Sequence, residues 1–113
     1  MKLKKILIDN PDGVTFVKKK LEFQKVIFKR GYYVALTDNI SENPASDISK
    51  IENLAKQLNL KQFYFGYWKD SKTGIEYLDL SLHIVSKQKA LTLAKTFKQK
   101  AIFDCYKLDS IYC

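Results

Sequence analysis

LAKQLNLKQFYFGYWKD, residues 54 to 70, returns in outline as LAKTFKQKAIFDCYKLD at 93 to 109. The offset is a constant 39 residues, and six of the seventeen positions are identical: Leu54/Leu93, Ala55/Ala94, Lys56/Lys95, Lys61/Lys100, Tyr67/Tyr106 and Asp70/Asp109. In both copies apolar residues at helical spacing give way to an apolar run, which reads as a duplicated helix-to-strand unit.

Working outward, Ile48, Ile51, Leu54, Ala55 and Leu58 give one apolar helix face, ending near Asn59, with Ser46 or Asp47 placed to cap its start. Ser86 is placed to cap a second helix, in which Ala90, Leu93, Ala94 and Phe97 follow the same rhythm. YYVALT at 32 to 37 is expected to be a strand, residues 38 to 47 a loop, FYFGYW at 63 to 68 a strand and KDSKTG at 69 to 74 a hairpin loop. The return strand alternates Leu78, Leu80, Leu82 and Ile84 with Tyr77, Asp79, Ser81 and His83, so one face is buried and the other solvated or occupied. AIFDCYKL at 101 to 108 closes the second unit as a single strand, which the last residues SIYC either extend or leave to fray.

From Tyr32 onward the order is β-α-β-β-α-β. With a right-handed crossover in each half, this predicts an α+β fold of the ferredoxin-like kind, a four-stranded antiparallel sheet with both helices on one face. Residues 1 to 30 form a basic β extension of the same single domain: a strand at 4 to 9 (KKILID), a turn at Asn10-Pro11-Asp12-Gly13, then two strands within VTFVKKKLEFQKVIF at 14 to 28. In those strands Val14/Phe16 and Leu21/Phe23 alternate around Lys18-Lys19-Lys20. Whether they extend the core sheet or form an appended hairpin is open.

A chain of 113 residues that is 46% hydrophobic and 28% charged is one globular domain. It has no run of the roughly 18 apolar residues a membrane span needs, and its start, MKLKKILIDNPDG, has no long apolar core or small-residue cleavage site. A cytoplasmic protein is the expectation. Cys105 and Cys113 fall in one predicted strand, roughly 26 Å apart at about 3.3 Å per residue, too far to bridge without a fold-back. With one histidine and no Cys-x-x-Cys pair, neither a metal nor another cofactor is expected.

The charge is uneven. Residues 1 to 30 hold nine Lys/Arg against three acids, whereas residues 31 to 113 hold eleven against nine. A second excess spans 80 to 103, where Lys87, Lys89, Lys95, Lys98 and Lys100 meet no acid. Two basic surfaces are therefore available to phosphate or to an acidic partner, although lysines beside a strand also guard a sheet edge against unwanted pairing.

Asp79, Ser81 and His83 share one face of a strand, but alternate residues lie roughly 6.6 Å apart, and a nucleophile and its base need about 3 Å. Phosphate-binding glycine motifs are absent, and the carboxylates Asp38, Glu42, Asp47, Asp70, Asp79, Asp104 and Asp109 have no paired spacing. A non-enzymatic protein is expected. The base-stacking signature of an RNA-recognition motif is also missing, since Tyr77 is the only aromatic on the open face of its strand and Asp79 would repel a phosphate backbone there. Tyr64 and Trp68 occupy one phase of their strand, and Phe63, Phe65 and Tyr67 the other. One set must face outward.

GYYVAL at 31 to 36, FGYWKDSKTGIEYLDLS at 65 to 81 and QKAIFD at 99 to 104 together resemble a group of short uncharacterised proteins of bacterial phages and conjugative elements. The resemblance covers about three-quarters of the chain and transfers no catalytic residue. It implies a mobile-element setting, in which small binding proteins disable host defence, RNA-guided nucleases included, in the manner of anti-CRISPR proteins. The resulting expectation is a protein that occupies a host protein or nucleoprotein. Lys18, Lys19, Lys20, Lys25, Lys29 and Arg30 would steer it, Lys87, Lys89, Lys95 and Lys98 would form a second basic surface, and Tyr64, Trp68 and Tyr77 would anchor it. The competing expectation is a stand-alone RNA- or DNA-binding protein. A monomer and a dimer, paired through an edge strand or Cys113, both remain open.

Overall fold

The structure, a computed structural model, describes residues 2–37, 41 and 43–113. Of the loop expected over 38 to 47, residues Asp38, Asn39, Ile40 and Glu42 lie outside the described residues, as does Met1. In chain order the elements are α1 (Leu3–Asp9), β1 (Val14–Lys19), β2 (Glu22–Val26), β3 (Tyr32–Ala35), α2 (Pro44–Gln57), β4 (Tyr64–Lys69), β5 (Glu76–Ile84), α3 (Lys87–Thr96), β6 (Ala101–Asp104) and β7 (Asp109–Tyr112).

The 39-residue repeat has a physical basis at the helix ends. Asn59 closes α2 in the left-handed conformation at φ 56°, and Lys98 closes α3 in the same way at φ 57°. The N–H of Leu60 donates to the Ala55 carbonyl and that of Asn59 to Lys56, while Gln99 donates to Ala94 and Lys98 to Lys95. Each pair of bonds is a Schellman closure, which satisfies the orphan carbonyls of the last turn and redirects the chain. Ser86 caps α3 as expected, its side chain accepting from the Lys89 N–H. In contrast, α2 begins at Pro44, before Ser46 and Asp47, because proline is preorganised for a first helical position and needs no hydrogen bond there. Asp47 instead accepts from the Ser41 hydroxyl at 2.6 Å.

The architecture is α+β: one antiparallel sheet of seven strands in the order β2-β1-β4-β5-β3-β6-β7, with three helices among the described residues. It is larger than the four-stranded sheet expected, for two reasons. The N-terminal hairpin continues the sheet, β1 pairing with β4 through Val14↔Tyr67, Thr15↔Gly66 and Phe16↔Phe65. At the other edge, residues 101 to 108 are not one strand. The Asp104 carboxylate accepts the N–H groups of Tyr106 at 2.9 Å and Lys107 at 3.1 Å, turning the chain so that β7 folds back on β6. Cys105, now buried, and Cys113, exposed, are therefore not in one strand, and both thiols are free.

The segment 4 to 9 also departs from expectation, since it is helical. Its apolar residues satisfy a helical period as well as an extended one: Ile6 is buried, and Leu3 and Leu7 pack on the same core. A Lys5–Asp9 pair four residues apart supports this helix. Leu21, expected in a strand, is in the β1–β2 turn and 90% exposed, beside Lys20 at φ 58°.

All three helices contribute to one core with a single face of the sheet. Phe16, Val34, Phe65, Leu78, Leu80 and Ile102 project from the strands against Ile6, Ile48, Ile51, Ala55, Ala90 and Ala94. The Phe16 and Phe65 rings stack at 5.3 Å. Tyr67 is buried in the same layer, and its hydroxyl donates to Glu76 at 2.6 Å; burial and that carboxylate raise its pKa far above the usual phenol value.

Candidate binding face

The opposite face has no helix. What crosses it is the connection from β2, at the sheet edge, to β3 in the interior. Four strand spacings separate them, about 19 Å at about 4.8 Å each, and the six steps from Val26 to Tyr32 span about 20 Å when extended. The connection must run nearly straight, and it does so as a strap over the open face.

Phe28 is the strap's anchor. Its ring stacks on His83 at 3.7 Å and meets Tyr64 edge-on at 5.4 Å and Tyr33 at 5.9 Å. Nε2 of His83 hydrogen-bonds the Arg30 carbonyl at 2.7 Å. Gly31 follows at φ 84°, where a Cβ would stand 2.5 Å from that nitrogen, so only glycine lets the strap lie this close. Of the face expected to be solvated or occupied, the strap partly covers His83, and Ser81 is buried.

The strap also settles the phase of β4. Phe65 and Tyr67 join the core with Phe63 packed against it, leaving Tyr64, Gly66 and Trp68 on the open side. Tyr64 is not a surface anchor, because Phe28 covers it and leaves it 7% exposed. Trp68 is 42% exposed and stacks on its cross-strand partner Tyr77 at 4.3 Å, with planes 9° apart.

Beside this pair the open face sinks into a trough of about 660 Å³. Small side chains make its floor: Thr15, Ala35, Gly66, Ser81 and Ala101, with Asp79 among them. Phe28, Tyr33, Trp68 and Phe103 wall it. Gly66 has no positive φ, so its backbone does not require glycine, but a Cβ would stand 3.2 Å from the Ser81 hydroxyl, close enough that Ser81 would have to give way. A glycine inside a strand weakens it, and it marks a place where something approaches closely. Burial raises the Tyr33 phenol, against the opposing effect of hydrogen bonds from Thr15 and the Phe28 backbone. Burial pushes the Cys105 thiol up to about 11, and the neighbouring Asp104 adds to the rise.

A second cleft, about 390 Å³, opens where β1 and β4 diverge. Lys18, Lys19, Lys61, Gln24 and Gln62 line it, and Val26 belongs to both depressions. Lys18 also pairs with Glu52 of α2 at 3.4 Å. Lys61 is a functional candidate that the charge pattern missed, since it is isolated in sequence from the basic N-terminal stretch.

The expected basic residues do not form one surface. Lys18, Lys19 and Lys20 lie at the β1–β2 end, and Lys25 of β2 donates to Asn10 at 3.0 Å. Lys29 and Arg30 are exposed on the strap. Lys87, Lys89 and Lys95 belong to α3, with Lys98 just after it; that helix packs on β3, β6 and β5, three strand spacings from β1, or roughly 14 Å. Among the described residues no group of three or more His, Cys, Asp or Glu side chains is placed to hold a metal, and no helix is long and apolar enough to cross a membrane. Compared with protein-family models, with curated proteins and with solved structures, the chain finds no match.

Proposed function

We propose that this is a small, basic, non-enzymatic binding protein of a mobile genetic element that disables a host defence nucleoprotein, such as an RNA-guided nuclease, by occupying it in the cytoplasm. The observation that carries the reading is the trough with its exposed Trp68–Tyr77 pair, in a chain of net charge +8. Tyrosine and tryptophan held rigid in this way are typical interface anchors, and the charge favours a partner with phosphate or acidic surface. The fold suits the role: the order β4-β5-β3-β6, with α2 and α3 in the two crossovers, reads as a ferredoxin-like unit flanked by an added hairpin and an added strand. Two reactive side chains near the open face, His83 and Cys105, are, in contrast, held by their surroundings. His83 is stacked and hydrogen-bonded beneath the strap, and Cys105 is a buried thiol that stays neutral at physiological pH.

The test is affinity capture of the chain from element-bearing cells, with and without nuclease treatment. A defence nucleoprotein recovered with the chain, and lost on Trp68→Ala, supports the reading. Recovery of free nucleic acid alone favours the stand-alone RNA- or DNA-binding protein, a second reading that the lysine-lined cleft beside the trough supports.

A further inference from the structure

We infer that the trough receives a single unpaired nucleobase carrying an exocyclic amino group, while the lysine-lined cleft next to it holds the adjoining phosphate. This rests on the reading of the target as a nucleoprotein and states which part of it the open face contacts.

Four observations converge. Trp68, half exposed and backed by Tyr77, is a stacking platform, and every base offers a π-face to such a ring. The floor beneath is cleared by Gly66, Ala35 and Ala101, leaving depth for a planar ring instead of a branched side chain. Asp79 lies two residues from Tyr77 along β5, on the same face and roughly 6.6 Å away. A carboxylate there accepts from an amino group such as cytosine N4, and it disfavours the paired carbonyls of uracil.

Phosphate has its own place. The second cleft shares Val26 with the trough and is lined by Lys18, Lys19 and Lys61 against the single acid Glu52. Thr15, on the trough floor, and Lys19 are four residues apart on the same face of β1, roughly 13 Å, a separation two nucleotides can span, whereas Lys18 faces α2 and pairs with Glu52. The trough itself carries mixed charge, from Asp12, Asp79 and Lys25, whereas the cleft is predominantly cationic. The site differs from the recognition-motif arrangement considered from sequence, because the platform is on β4 and the strap already covers Tyr33, Tyr64 and His83.

Trp68 is the only tryptophan in the chain, so its emission reports directly on the trough. The full chain is titrated with short single-stranded oligomers of cytidine, adenosine and uridine, and with deoxycytidine to separate RNA from DNA as the source. The expected result is saturable quenching of Trp68 emission, with cytidine or adenosine oligomers bound about 10-fold more tightly than uridine oligomers. Asp79→Asn should erase that preference. Lys19→Ala with Lys61→Ala should weaken all oligomers alike and reduce the salt dependence of binding by about the two charges removed. The base preference of the unmodified chain is itself a readout, so the test survives a variant that fails to fold. Oligomer binding that leaves Trp68 emission unchanged overturns the trough assignment while leaving a nucleoprotein target standing. Absence of binding at low salt, alongside capture of a protein that quenches Trp68, overturns it in favour of a protein anchor. Failure of both oligomers and cell extract to bind overturns the function proposed above as well.

Discussion

The two faces of the sheet are built from the same strands and meet opposite fates. On one, Phe16, Phe65, Leu78 and Leu80 are sealed beneath three helices; on the other, small residues are left uncovered except where a five-residue strap crosses from 27 to 31. The helix face is closed by many interchangeable apolar contacts. The open face is organised by a few specific ones: the Phe28 ring, the His83–Arg30 hydrogen bond and the glycine that admits them. Stability should therefore be concentrated on the first face, while the second should be sensitive at few positions and otherwise free to bind.

The comparison would break if the helix face tolerated truncation. Phe65→Ala, at a position 1% exposed and stacked on Phe16, should cost about 3 to 5 kcal/mol in chemical denaturation. Sharper for the open face is Gly31→Ala, which combines φ 84° with a Cβ 2.5 Å from the imidazole. A loss of about 1 to 3 kcal/mol is expected, together with a shift of the His83 ring resonances as the stack on Phe28 opens. Phe28→Ala should cost about 2 kcal/mol, from its apolar area and its ring contacts, and should expose Tyr64 to solvent; its hydroxyl, which accepts from Gln62 at 2.8 Å, provides the spectroscopic check.

The smallest effect concerns the thiols. Cys113 is exposed and should be alkylated readily at pH 8, whereas Cys105, buried and raised to about 11, should react only after denaturant is added; intact-mass measurement distinguishes one adduct from two. The folded state favours the neutral Cys105 thiol, so its contribution is complete below the ordinary value of 9.0 and is lost as pH climbs through about 11. Cys105→Ala should flatten that alkaline decline.

Much of the helix-side layer was legible. The recurrence of Ile48, Ile51 and Ala55, and of Ala90 and Ala94, marks the faces that are buried. The alternation of β5 likewise separates Leu78 and Leu80 from Tyr77 and Asp79. Helix α1 was not legible because its four apolar positions, Leu3, Ile6, Leu7 and Ile8, fit two periods, and burial of Ile6 decided between them. The break after Asp104 had a signal in hindsight, an aspartate placed to accept two following backbone N–H groups, but the repeat pointed instead to a continuous strand. Tyr67 and Tyr106 are identical by offset, yet one is buried in β4 and the other is 73% exposed in a turn.

For the candidate site, sequence narrowed the choice to two phases of β4 and named Trp68 and Tyr77. It had no means of finding the strap, because Phe28 reaches Tyr64 and His83 across 36 and 55 residues of chain. Nor did it connect Lys61 with Lys18 and Lys19, which only the divergence of β1 from β4 brings to one cleft.

By itself the sequence determined what depends on neighbours along the chain: the two helices, the hairpin loop at 69 to 74 and the excess of positive charge. The tertiary structure alone decided what depends on contacts between distant segments. It extended the sheet at both edges, laid 27 to 31 across the open face, buried Tyr64, set Phe28 against His83 and left Trp68 beside a cleared floor. Periodicity states which residues share a face, but which face is covered depends on where the rest of the chain can reach, and here the reach of six residue steps against four strand spacings fixed it.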